Sequence, residues 1–208
     1  MKKKTALIFG ITEKNGIVMM KYLHKKKYLI EGICLKKTKK NLKTLRFFKN
    51  SNLHKLPKFN EINITKLLKK NFNEIYFFED QSNIKKSTLK KFEIFDKEIN
   101  FLKIILDFIV SQKSIKSKFL YEGNSEMYDN LNFKNNKQKP KNLFGLSKLI
   151  NYEIIKSYRK MFNIPTCTVI FLNHLVHLRT VACHKILNSK KIDDYFILPT
   201  KTILLERI

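Results

Sequence analysis

Thr5–Phe9 (TALIF) is a short apolar run that stops at Gly10, and apolar residues then recur at helical spacing through Ile17, Met20 and Leu23 to His24. This junction constrains the fold more than any other feature of the chain. An apolar run without alternation reads as a strand covered on both faces. A helix entered from a glycine turn directly after such a strand reads as the opening of a β–α–β unit. Lys25–Lys27 close the helix with charge that suits its C-terminus.

The alternation continues downstream. Tyr28–Leu35, Glu74–Phe78, Lys118–Tyr121 and Thr166–Leu172 read as further strands, and Ile64–Asn71, Phe92–Val110 and Phe144–Phe162 as helices. Lys36 to Phe59 is polar and basic with no assigned element, and Asn130–Asn142 is a polar loop carrying Pro140. Strands and helices in this order predict an α/β fold with a doubly wound parallel sheet, the Rossmann fold.

The 208 residues carry 43 Lys plus Arg against 17 Asp plus Glu, a formal charge of +26. Such a balance first suggests a polyanion partner. Only four of the cations are arginine, however, whereas base readout and bidentate phosphate clamps favour Arg. The lysines also fall in small groups along the whole chain (Lys25–Lys27, Lys69-Lys70, Lys85-Lys86, Lys190-Lys191) rather than in one arm. Lysine drift over a solvated surface is the leading reading and a polyanion-binding module the lesser one, so no nucleic-acid partner is expected. No apolar stretch reaches the roughly 18 residues of a membrane span. The basic opening ends at Glu13 and Lys14 without a small-residue cleavage site, so a cytoplasmic protein without a membrane partner is expected. Cys34, Cys167 and Cys183 are odd in number and far apart, which suits buried thiols rather than disulfides or zinc.

The turn after the first strand reads Gly10-Ile11-Thr12-Glu13-Lys14-Asn15-Gly16 and leads to Ile17. A phosphate-binding turn needs one glycine for the tight reversal, one where backbone approaches pyrophosphate and one where helix meets strand. Gly10 and Gly16 hold the outer positions and Glu13 the middle one. A generic strand-to-helix turn explains two glycines about as well as a coenzyme site does. Lys36 and Lys37 end the second strand where an acid would bind the ribose of NAD, so NADP is the expected coenzyme and NAD the less favoured one.

The opening KTALIFGITEKNG resembles the extended short-chain dehydrogenase/reductases, above all the GDP-mannose 4,6-dehydratase type, whose opening reads KTALITGITGQDG. EIYFFEDQS (Glu74–Ser82) is similar to that family's EIYNLGAQS, and KFLYEGNSEMY (Lys118–Tyr128) to KFYQASTSELY. NLFGLSK (Asn142–Lys148) is similar to SPYGAAK, and FLNHLVHLR (Phe171–Arg179) to LFNHESPRR. These ordered matches imply a Rossmann domain over residues 1–186. Residues 187–208 match nothing in the family and are expected to be a remnant of a truncated substrate lobe.

The resemblance implies the conversion of GDP-mannose, or a related nucleotide sugar, to its 4-dehydro-6-deoxy product with NADP. A tyrosine, acidified by a lysine four residues later, removes the C4 hydroxyl proton. A glutamate takes the C5 proton, and water leaves from C6. Lys148 matches the lysine, but Phe144 occupies the tyrosine position and has no proton to exchange. Glu126 matches the glutamate, Ser125 its neighbour, and Asn124 replaces the family threonine. The resemblance assigns the coenzyme to Gly10, Ile11, Asn15, Gly16, Ile17, Lys36, Lys37, Gln81, Ser82, Tyr128, Lys148, His174 and Arg179, and the substrate to Asn173. Glu79 and Asp80 replace small residues in the coenzyme loop.

Losing a general base costs on the order of 10²–10⁴ in rate. Tyr121 and Tyr128 are the nearest substitute phenols, while Tyr152 matches a packing residue. A non-catalytic descendant that binds a nucleotide or a partner is therefore the alternative, either as a homo-oligomer or beside a full-length paralogue. His174, His177 and His184 lack the acid–His spacing of a zinc site. The phenylalanines are read as core.

Overall fold

The computed structural model describes residues 3–34, 51–55, 61–78, 88–113, 116–128, 139–140, 142–171, 176–189 and 195–198. The strands are β1 (Thr5–Phe9), β2 (Leu29–Cys34), β3 (Ser51–Lys55), β4 (Glu74–Phe77), β5 (Lys118–Asn124), β6 (Thr166–Phe171) and β7 (Tyr195–Leu198). The helices are α1 (Lys14–Lys25), α2 (Glu61–Leu68), α3 (Thr88–Ser111), α4 (Leu143–Phe162) and α5 (Val176–Leu187), with a 3₁₀ turn at Ser125–Met127. The sheet order is β3-β2-β1-β4-β5-β6-β7, and every pairing is parallel. This is the expected doubly wound fold, with the order reversing beside β1.

Side chains of β1 alternate between the two faces. Ala6 and Ile8 pack with Met19, Met20 and Leu23 of α1 and with Cys183 and Leu187 of α5. Leu7 and Phe9 pack with Leu68 of α2, with Leu102, Ile105, Leu106 and Ile109 of α3, and with Ile155 of α4. Each such aliphatic side chain contributes roughly 1.5–3 kcal/mol when fully buried. With helices on both faces, β1 has no wet side and therefore carries no polar alternation.

Three elements go beyond the expectation. β3 lies in the basic stretch between Lys36 and Phe59 and pairs in register with β2, from Ile30↔Ser51 to Cys34↔Lys55. It contains SNLHK, which offers no apolar run to read. α5 carries no single apolar face, although Ala182, Cys183 and Leu187 are buried. β7 pairs with β6 from Thr168↔Tyr195 to Phe171↔Leu198, so the segment beyond residue 186 supplies a strand to the same sheet. The three cysteines are unbridged and buried.

Candidate functional site

Parallel topology brings the C-terminal ends of β1 and β5 and the first turn of α4 to one edge of the sheet. At β1 the chain reverses through Gly10 at φ +68°, a backbone conformation open to glycine. A Cβ on Gly10 would collide with the Phe78 carbonyl oxygen, and one on Gly16 with the Gly10 carbonyl oxygen. Both glycines are therefore required by the protein's own backbone contacts. The amides of Gly10 and Ile11 both donate to the Ile33 carbonyl, at 3.0 and 3.2 Å. The fully buried Ile11 side chain fills the space above Gly32. Glu13 caps α1: its amide donates to the Gly10 carbonyl at 2.9 Å, and its carbonyl accepts from the Ile17 amide at 2.8 Å. Its carboxylate accepts from the Thr12 hydroxyl at 3.4 Å. A negative group thus already stands at the positive end of the helix dipole, where a phosphate would be drawn. Asn15 donates through Nδ2 to Glu122 of β5 at 2.5 Å, joining the turn to a strand two places away in the sheet.

Lys148 lies inside the protein, 2% exposed. Its amine donates to Glu98 Oε1 at 3.1 Å and to the Tyr121 hydroxyl at 3.0 Å. The Tyr121 hydroxyl in turn donates to Glu98 Oε1 at 2.6 Å and accepts from Asn151 Nδ2 at 2.9 Å. The Phe144 ring covers the amine from another side, with its centroid 5.4 Å away. Glu98 and Asn151 were not among the expected site residues, and Tyr121 was weighed only as a substitute base. One signal for Glu98 is present in the sequence: it shares a helical stripe with Phe101, Leu102 and Ile105, and an acid on a core-facing stripe requires a buried cation or donor. Tyr121, weighed above as a substitute base, is fully buried and donates its proton to Glu98. Tyr128, the other candidate, is 3% exposed and packs with Met127, Tyr152 and Ile170.

Asn124, Ser125 and Glu126 form the turn that ends β5. The Asn124 side-chain oxygen accepts from the Glu126 amide at 2.8 Å and from the Ser125 hydroxyl at 3.3 Å. Asn142 caps α4 by accepting from the Gly145 amide at 2.9 Å, and its Nδ2 donates to Glu126 Oε2 at 2.7 Å. Gly145 has no room for a Cβ because the Glu126 carbonyl lies against it. Asn124, Ser125, Glu126, Phe144 and Lys148 are thus gathered around one helix start, while Gly10, Ile11, Asn15, Gly16 and Ile17 line the β1–α1 turn. Lys36, Lys37, Gln81, Ser82, Asn173 and His174 lie outside the described residues, as do Glu79 and Asp80. Arg179 falls within α5.

Among the described residues, those of the β1–α1 turn do not favour a dinucleotide. The two glycines that remain are those the backbone needs, while the ligand-facing middle position carries a carboxylate. Lys148, which the resemblance assigns to the coenzyme, is committed to Glu98 and Tyr121.

The sequence matches the model of the family described as GDP-mannose 4,6 dehydratase over residues 7–193. No curated protein matches it. Among solved structures, it is similar to dTDP-glucose 4,6-dehydratase from Bacillus anthracis, solved with NAD, at a TM-score of 0.76 and 14% identity, covering 94% of this chain and 75% of that one. It is also similar to the UDP-Glc/GlcNAc 4-epimerase of Campylobacter jejuni, at 0.68 and 15%, covering 81% and 53%. A third likeness is to UDP-glucuronic acid 4-epimerase from Bacillus cereus with NAD, at 0.64 and 16%, covering 80% and 56%. The chain thus spans about half the length of these epimerases. The family match reaches across nearly the whole sheet, and the chain belongs to the GDP-mannose 4,6 dehydratase family.

Proposed function

We propose that this chain is a non-catalytic member of its family, acting by binding rather than by dehydration. One observation carries the reading: the Lys148 amine is held by Glu98 and Tyr121 in a dry interior, with Phe144 where a tyrosine would need that amine. A general base needs a titratable proton within reach of the sugar hydroxyl, and Phe144 offers none. Its partner is a nucleotide or a protein, in the latter case a second copy or a full-length paralogue.

The second reading is NADP-dependent dehydration of GDP-mannose. Glu126 favours it, since it stays beside the start of α4 and is held by Asn142. Lys36 and Lys37 favour NADP over NAD, because positive charge after β2 suits a 2′-phosphate.

Incubating the protein with GDP-mannose and NADP or NAD, and following sugar-nucleotide products by chromatography, separates the two. No product above a protein-free control is expected. Formation of GDP-4-dehydro-6-deoxy-mannose would overturn the non-catalytic reading. Thermal shift with each coenzyme and with GDP-mannose then asks what still binds, since a ligand of the native state alone raises the melting temperature.

A further inference from the structure

In a parallel sheet with helical crossovers, every helix-to-strand connection lies at one edge, the edge where the strands begin. In this chain each of those connections carries a described lysine. Lys4 precedes β1, Lys26 follows α1, Lys69 follows α2, Lys113 follows α3, and Lys160 and Lys185 stand at the ends of α4 and α5. All six are exposed. Groups that are dispersed in sequence thus converge on one face. Among the described residues of these connections and the strand starts they enter, the acids are Glu74, which is 1% exposed, and Glu31, which pairs with Lys70 at 2.9 Å. Among the described residues, the opposite edge holds Glu13, Glu122 and Glu126 beside Lys14. Helix dipoles favour a cation at each helix end, but they do not account for Lys4, for Lys116 ahead of β5, or for Lys118 at its start.

The same edge exposes apolar side chains. Leu29 is 48% exposed, Met161 72% and Phe162 39%. The Leu29 amide donates to the Lys4 carbonyl at 2.9 Å, and the Lys116 amine donates to the Phe162 carbonyl at 3.2 Å, so cationic and apolar groups are neighbours there. Protruding aliphatic groups within a lysine field match the two forces that hold a protein on an anionic bilayer: phosphate attraction and shallow apolar insertion. Nucleic acid would instead favour arginine and stacking rings.

We propose that the strand-start edge, with its lysines and Leu29, Met161 and Phe162, is a docking surface for an anionic membrane. The contact is peripheral and needs no spanning helix. Among the described residues no helix is long and apolar enough to cross a membrane.

Cosedimentation at about 0.15 M salt tests it with two vesicle types, phosphatidylcholine alone and phosphatidylcholine with phosphatidylserine. Binding to the second alone is expected. The combined variant Lys69→Gln, Lys113→Gln, Lys160→Gln, Lys185→Gln should lose about tenfold or more in affinity, and the same four positions changed to Arg should keep it. Met161→Ser should weaken the binding that survives at high salt. All three variants should melt with the parent protein, since these side chains are exposed. Equal binding to both vesicle types, no binding to either, or an unchanged Gln variant overturns the proposal. So does binding to polyuridylate that displaces the protein from the vesicles.

Discussion

Glu98 of α3 and Lys148 of α4 form an ion pair of 3.1 Å, with side chains 6% and 2% exposed. Removing one partner leaves an uncompensated buried charge, which typically costs about 3–5 kcal/mol, whereas replacing both by apolar groups is often neutral. Glu98→Ala should therefore destabilise the protein by roughly 3 kcal/mol, and Glu98→Leu combined with Lys148→Met should recover most of that loss. Urea unfolding of Glu98→Leu, Lys148→Met and the double gives the coupling. Additive effects would show that the pair does not hold α3 to α4.

The same commitment governs what a restored tyrosine can do. Phe144→Tyr returns a phenol to the face of Lys148, but the amine that would acidify it is already donating to Glu98 and Tyr121. Dehydration of GDP-mannose by Phe144→Tyr should remain at background. Turnover rising by about 10² or more over the parent would show that the amine is free to serve the site.

Gly10 and Gly16 separate structural need from ligand need. Ala at position 10 would be held at φ +68° with its methyl against the Phe78 carbonyl, and Ala at position 16 would strike the Gly10 carbonyl. Each should cost roughly 1–3 kcal/mol in the ligand-free protein. A Cβ at Gly123 meets side-chain atoms at 3.1 Å, which can shift, so Gly123→Ala should cost less. Thermal melting ranks the three, and an unperturbed Gly16→Ala would show that the turn relaxes freely.

The sheet was legible because β1, β2, β4, β5 and β6 are apolar runs bounded by helical patterns, which local side-chain chemistry alone can signal. β3 was not legible, because SNLHK offers no apolar run, and its pairing with β2 shows only in the fold. The turn glycines could be read from spacing, whereas Phe144, Lys148 and Glu126 were singled out only by the family resemblance. The lock on Lys148 could not, because Glu98, Tyr121 and Asn151 come from three different elements and meet only in the fold. The basic edge was hidden likewise: one period of the fold separates each lysine group from the next.

His184 should set the acid stability of the strand-start end. Its Nε2 lies 3.2 Å from the Tyr28 hydroxyl and 3.7 Å from Glu74 Oε2, with the Tyr22 ring edge-on. Tyr28 and Tyr76 both donate to Glu74, at 2.9 and 2.6 Å, and both phenols are held above their ordinary range, first by burial and then by the Glu74 carboxylate. Burial lowers the His184 pKa below its ordinary 6.5, Glu74 opposes this, and Lys26, Lys4 and Lys118 add to the lowering. The unfolded chain thus binds a proton that the folded chain resists. Stability from this group is complete above about 6.5 and declines as pH falls through the unfolded value toward the folded one. Melting temperature should drop on acidification through pH 6, and His184→Gln should flatten that part of the profile. An identical profile in the variant would place the acid sensitivity elsewhere.

Two carboxylates decide what the β1–α1 turn admits. Glu13 caps α1 where a phosphate would be attracted, and Glu122 holds Asn15 across the gap to β5. At an effective dielectric near 20, unit charges 4 Å apart repel by about 4 kcal/mol, and each 1.4 kcal/mol recovered is about tenfold in affinity. Glu13→Gly should therefore tighten NADP binding by roughly tenfold or more. Glu122→Ala should add a further gain by freeing Asn15 as well as removing charge. Because the repulsion is screened by salt, the advantage of each variant over the parent should shrink as salt rises. Calorimetric titration at low and high salt measures both effects. If neither substitution raises affinity, the turn excludes the coenzyme by shape rather than by charge.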